Sequence, residues 1–175
     1  MRYVELRRHT MRHKPGKNRH LTQEGVTLAR RVGEGMGPFS RVITSDIPRA
    51  FETAIAMGFA VDEELHAWAT YGDAIEVEIA NCANVADLAV VAGKGMVTAM
   101  LCTTLATLLK GIAQGLSDGE SALIVSHGGV IEMACIGCLP HAKYIRWGDF
   151  FGYCEGARLA FDTDAFVSIE LLRVT

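Results

Sequence analysis

The stretch Ser121-Ala122-Leu123-Ile124-Val125-Ser126-His127-Gly128-Gly129 decides the fold class. A short apolar run, bounded by Asp118-Gly119 on one side and two glycines on the other, reads as a strand buried on both faces. Such strands occupy parallel sheets covered by helices. A helix follows the glycines to about Cys138. Before this strand, Tyr3, Val4 and Leu6 mark a first strand over Arg2–Arg8. Thr22 is a good helix N-cap, with Val26, Ala29, Val32 and Met36 at helical spacing until Gly35 and Gly37-Pro38 end the segment. Arg41–Thr44 reads as a second strand. Ser45 or Asp46 is the expected cap of the next helix, which carries Pro48 and Arg49 in its first turn and ends near Gly58.

Val61–Leu65 suggests another short strand. From His66 to Val97 the Ala/Val/Asn-rich segments suggest helices interrupted at Gly93 and Gly95. A long helix is expected over Val97–Leu116; its most apolar part, Met100 to Leu109, is cut by Thr103, Thr104 and Thr107 and ended by Lys110, too short a run for a membrane span, and is read as buried. Arg158–Asp162 and Phe166–Val174 flank Thr163-Asp164 as a hairpin. Alternating strands and helices closed by a hairpin predict an α/β fold. Its form is a three-layer sandwich with a mostly parallel central sheet, helices on both faces and an antiparallel C-terminal edge, in one domain over 1–175.

Composition narrows the function. The 175 residues carry a formal net charge of −3 with mixed signs, which gives no case for nucleic acid or a membrane surface. Met1–Leu6 lacks the apolar core of a signal peptide, and the five cysteines form no secreted-type framework. Cys135 and Cys138 make a C-x-x-C without a second pair, so reduced, buried thiols in a cytoplasmic protein are expected. No ligand set has metal spacing. The charge is nevertheless uneven: Arg7, Arg8, Arg12, Lys14, Lys17 and Arg19 crowd the first twenty residues together with His9, His13 and His20.

Ligands of an open α/β sheet bind beyond the carboxyl ends of its strands. There the first strand leaves Arg8-His9-Thr10, the second Thr44-Ser45 with Arg49 one turn on, and the third Ser126-His127-Gly128-Gly129. Two arginines and two histidines at one rim suit phosphate, whose oxygens match the guanidinium fork. Gly128 and Gly129 let backbone N–H groups approach an anion at a helix start.

Four ordered segments carry a resemblance: Arg8-His9-Thr10, Leu21-Thr22-Gln23-Glu24-Gly25, Thr44-Ser45-Asp46-Ile47-Pro48-Arg49-Ala50-x-x-Thr53-Ala54 and Ser126-His127-Gly128-Gly129. They resemble the motifs of the histidine phosphatase (phosphoglycerate mutase-like) superfamily over the whole chain, and especially its compact phosphohistidine phosphatases. The resemblance implies that His9 attacks phosphorus and becomes phosphohistidine, while Arg8, Arg49 and His127 grip the phosphoryl oxygens without cofactor or metal. Thr10 stands where the family commonly has glycine. Thr10 and Gly128 are taken as substrate contacts. Arg12, spaced as in the family's R-H-G-x-R branch, is either a further phosphate ligand or an exposed side chain.

One feature departs from the family. The carboxylate that usually protonates the leaving oxygen is absent where Leu65-His66-Ala67-Trp68 stands, and His127 is followed by glycines. Glu64, His66, Asp73 and Glu76 are the nearest substitutes. A missing acid favours good leaving groups such as phosphoramidates and anhydrides. The expected partners are a phosphoprotein or small phosphometabolite, with phosphate, sulfate or vanadate as pocket ligands. A mutase and a non-catalytic phosphate-binding domain are the alternative readings.

Overall fold

The structure is a computed structural model that describes residues 1–13 and 20–175. Lys14, Lys17 and Arg19 of the basic cluster lie outside the described residues. Six strands form one sheet in the order β3-β2-β4-β1-β5-β6. They are β1 (Arg2–Arg8), β2 (Arg41–Thr44), β3 (Glu63–Glu64), β4 (Ser121–Ser126), β5 (Gly156–Asp162) and β6 (Ala165–Leu172). The first four are mutually parallel, while β5 pairs antiparallel to β1 and β6 to β5, giving the expected C-terminal edge.

Strand alternation divides the core. Leu6, Ile43, Ile124, Leu159 and Phe161 face a large cluster built with α3 (Gly72–Ile79), α4 (Val85–Ala92), α5 (Val97–Gln114) and α6 (Val130–Cys138). Val42, Leu123 and Val125 face Ala50 and Ala54 of α2 (Pro48–Ala56), against which α1 (Gln23–Gly33) packs. This is the three-layer sandwich. On the α1/α2 side Glu5 and Arg7 replace an apolar layer: Arg7 Nε donates to Glu5 at 2.8 Å, and Arg158 Nη2 donates to its other oxygen at 2.8 Å. Arg7 is therefore a buried structural cation, facing away from the side where Arg8 points.

Two expectations need correction. Neither Ser45 nor Asp46 caps α2; its N-cap is Ile47, without a side-chain cap bond. Both side chains are engaged elsewhere, Ser45 with His127 and Asp46 with His66. Helix α5 is also not buried all round. Its 18 residues have a mean hydropathy of 1.3, long and apolar enough for a bilayer by composition, with 33% of them buried. Cys102, Leu105, Leu109 and Ile112 enter the core. Thr103, Thr104 and Thr107 lie exposed, each returning its hydroxyl to the carbonyl four residues back at 2.9–3.0 Å, which satisfies them without disturbing the helix.

The region from 66 to 97 holds a single 3-10 turn (His66–Trp68), then α3 and α4, with the break at Gly93 and Gly95. Helices α5 and α6 cross so closely at Gly137 that a Cβ there would lie 2.1 Å from the Cys102 carbonyl oxygen. That neighbour is helix backbone and cannot rotate aside. Gly137→Ala should lower the unfolding free energy by at least the ~1–3 kcal/mol typical of overpacking, measured by urea titration.

Candidate active site

The carboxyl ends of β1, β4, β2 and β3 share one rim. Arg8 lies opposite Ser126 in the parallel register, and the His9 N–H donates to the Ser126 carbonyl at 2.9 Å. The Ser45 N–H donates to Val125 O at 3.1 Å, and the Leu65 N–H to Thr44 O at 2.9 Å. Residues far apart in sequence are thus set side by side by ladder bonds just beyond the last paired residues.

His9 is 5% exposed. Its Nδ1 lies 2.7 Å from the carbonyl of Thr10, and Arg49 Nε donates to its Nε2 at 3.0 Å. Guanidinium nitrogen has no acceptor capacity, so Nε2 is the unprotonated nitrogen and Nδ1–H donates to Thr10. Burial pushes the His9 pKa down to about 3, the Thr10 carbonyl opposing, with Arg49, Arg8 and Arg12 adding to the fall. The ring is therefore neutral at physiological pH, with its lone pair on Nε2.

His127 is 6% exposed, its ring centroid 5.1 Å from that of His9. Its Nε2 lies 2.7 Å from Ser45 Oγ, which also accepts the Ile47 N–H at 3.4 Å. Ser45 Oγ keeps both its proton and a second lone pair for Nε2, so this bond holds the imidazole in place in either neutral tautomer. Burial, followed by Arg49, His9, Arg8 and Arg12, lowers this pKa to about 3 as well. Among the described residues His127 Nδ1 and Arg8 Nε are buried without a hydrogen-bond partner. An unpartnered guanidinium N–H and an unpartnered imidazole nitrogen beside a neutral nucleophile suit an incoming oxyanion.

Arg8 is held from three sides. Its Nη1 donates to the Phe151 carbonyl at 2.7 Å, its guanidinium carbon lies 4.9 Å from the Tyr153 ring centre, and a Cβ on Gly128 would sit 3.1 Å from that same carbon. Gly128 thus serves the close approach of Arg8.

Two expected contacts have other partners. The Thr10 hydroxyl, fully buried, donates to Gly25 O at 3.0 Å and its N–H donates to Thr53 Oγ1 at 3.1 Å, so only its carbonyl serves the site, through His9. The Gly129 N–H, expected to face an anion, donates to Glu132 Oε2 at 2.7 Å. Arg12 is half-buried, donates to His13 O at 3.1 Å, and lies near enough to depress both histidines.

Sequence reasoning missed the loop before β5 and the buried Glu132. Tyr153 is 39% exposed, with its ring centre 5.9 Å from that of His9. It is aimed by Cys154, whose φ of +60° is fixed by bonds from its N–H to Arg8 O and from Arg7 Nη1 to its carbonyl. Glu132, fully buried, also accepts the Phe151 N–H at 2.8 Å and so ties the His127 loop to the carbonyl that holds Arg8. Burial raises its pKa, opposed by those N–H groups and by Arg8. A Glu three residues after a helix N-cap was the available signal.

No family model matches the chain and no curated protein matches it in sequence. Solved structures do. The phosphoserine phosphatase of Entamoeba histolytica, in complex with 3-phosphoglyceric acid, covers 99% of this chain and 98% of its own at TM-score 0.74 and 20% identity. A phosphoglycerate mutase from Bacillus anthracis str. Sterne covers 97% and 92% at TM-score 0.71 and 15% identity. The protein histidine phosphatase SixA, complexed with tungstate, covers 97% and 96% at TM-score 0.61 and 16% identity. The chain has the histidine phosphatase fold.

Within that fold the place of the expected acid is filled differently. Trp68 is fully buried and its carbonyl accepts Ser126 Oγ at 2.7 Å, so the 3-10 turn is docked on the site strand through its backbone. His66 is exposed and bonds Asp46 through Nδ1 at 2.8 Å. Glu64 and Asp73 are exposed, and Glu76, also exposed, lines a cleft with Arg8.

A histidine whose folded pKa falls from 6.5 to about 3 stays neutral where the unfolded chain takes up a proton. Its stability contribution is complete above about pH 6.5 and is lost as pH falls toward 3. Histidine ¹⁵N NMR should show His9 and His127 neutral at pH 5, with His9 as the Nδ1–H tautomer. An imidazolium signal from either at that pH would contradict this geometry.

Proposed function

We propose that the chain is a phosphatase working through a phosphohistidine on His9. The observation that supports it most is the state of that side chain: a buried neutral imidazole with Nδ1–H tied to the Thr10 carbonyl and the lone pair on Nε2. Arg49 Nε donates to that same lone pair. An arriving phosphoryl group draws the guanidinium to its own oxygens and frees Nε2 to attack. Arg8 Nε supplies a further donor, and the two arginines carry the positive charge that a loose phosphoryl transition state needs.

In the first step the Nε2 lone pair forms the N–P bond, and the bond from phosphorus to the leaving atom breaks with its electrons on that atom. Water then attacks phosphorus, the P–N bond breaks, the lone pair returns to Nε2 and a water proton passes to solvent. His9→Ala should abolish turnover in a folded protein and remove the acid-labile, alkali-stable label left by a radioactive substrate. Substantial turnover in this variant would sink the assignment.

The leaving group is the second half of the proposal. No carboxylate stands at Leu65-His66-Ala67-Trp68, so charge on a departing alkoxide is left uncompensated. We therefore read the substrate as one with a good leaving group, a phosphohistidine or an activated phosphate ester of a protein or small molecule. General acid catalysis contributes about 10²–10⁴-fold, so aryl phosphates should outpace alkyl phosphates by that order. Replacing Glu64, His66, Asp73 or Glu76 singly should change alkyl-phosphate turnover little. A selective loss of alkyl-phosphate turnover by about 10²-fold or more in one of them would identify an acid and an ordinary phosphomonoesterase.

A further inference from the structure

Arg8 and Gly129 form one side of a cleft of about 320 Å³, completed by Tyr71, Glu76, Ile79 and Phe150. The Tyr71 ring packs closely against Gly129: a Cβ there would be 2.6 Å from its Cε1, so the wall exists in this shape because residue 129 has no side chain. Glu132 is fully buried behind this wall, with an N–H on each oxygen. Glu76 differs. It is exposed at the cleft, and among the described residues no hydrogen-bond or ion-pair partner engages it. Tyr71 has its pKa raised by burial first and then by Glu76 and Glu132, against Arg8, which places the Glu76 carboxylate and the Arg8 cation around one phenol ring.

Arg8 belongs both to this cleft and to the charges around His9, so a phosphoryl group held by Arg8 borders the cleft. The cleft offers apolar surface on Ile79 and Phe150, a phenol on Tyr71 and one uncommitted negative charge. With Arg8 neutralised by the phosphoryl oxygens, Glu76 dominates the local potential.

We infer that the cleft receives the leaving group and that Glu76 selects leaving groups carrying a positive charge, such as a primary ammonium a few bonds from the departing atom. This rests on the phosphatase reading and extends it to a substrate class: cationic phosphate esters or phosphoramidates in preference to neutral or acidic ones.

Three aryl phosphates of similar shape test the inference: 4-(aminomethyl)phenyl, 4-methylphenyl and 4-carboxyphenyl phosphate, with the full chain and its Glu76→Gln and Glu76→Lys variants. The readout is the ratio of kcat/KM values within each protein, compared between proteins so that intrinsic leaving-group reactivity cancels. The amine-over-methyl ratio should fall about threefold to fivefold in Glu76→Gln, the effect of one solvent-facing charge pair, and further in Glu76→Lys. The carboxylate substrate should gain in both variants. Ratios unchanged in both variants, with all three substrates cleaved, overturn the assignment of the cleft alone. Failure of the full chain to cleave any of them overturns the phosphatase reading and this inference with it.

Discussion

The hydrogen bond from His9 Nδ1 to the Thr10 carbonyl is the contact on which the site depends. It fixes the tautomer and thereby decides which nitrogen can attack. The carbonyl is itself immobilised by what the rest of Thr10 does: its N–H reaches Thr53 of α2 and its hydroxyl reaches Gly25 of α1. Gly25 must be glycine, since a Cβ would lie 2.2 Å from the Met11 carbonyl oxygen, the same oxygen that accepts the Thr22 N–H. Thr22 Oγ1 in turn caps α1 by accepting from the Gly25 N–H. Residues of the second and third motifs therefore act together, through the Thr10 hydroxyl and N–H, to position one carbonyl oxygen.

Electrostatics and burial cooperate on the histidines. Two imidazoles under 7% exposed and close to Arg8 and Arg49 cannot both hold protons, because desolvation and like charge each oppose the cationic form. Neutral rings leave the arginines as the local cations, which is the division of labour that nucleophilic attack on a phosphoryl group requires. The same arrangement has a stability cost, since buried polar atoms such as Arg8 Nε and His127 Nδ1 forgo protein partners. Glu132 offsets part of the difficulty by tying both the His127 loop and the Phe151 segment to one helix.

The loop before β5 gives the site its open side. Arg173 Nη2 donates to the carbonyls of Trp147 and Asp149 at 2.6 and 2.7 Å, and its Nη1 donates to Glu155 at 2.8 Å, so the last turns of the chain staple this loop to the sheet. From it Phe151 holds Arg8 and Tyr153 lies against both Arg8 and His9. On the opposite flank the 66–68 turn buries Trp68 where a carboxylate is expected.

Local pattern was sufficient for most of the frame. Arg2–Arg8, Arg41–Thr44 and Ser121–Ser126 are strands with the bounds that their β-rich and apolar runs imply, and the glycines after His127 start a helix that ends at Cys138. Arg8, His9, Arg49 and His127 were legible because strand ends in an α/β sheet face one rim, so position in the pattern implies position in space. Tertiary structure alone decided the rest. The Thr10 hydroxyl turns from the pocket because Gly25 and Thr53 come from other elements, and Arg7 and Arg8, adjacent in sequence, part to opposite faces through the period of the strand. Tyr153, Phe151 and Glu132 carry no periodic signal toward the site. Their places follow from loop closure and from hydrogen bonds between residues up to 147 positions apart, which no local window of sequence contains.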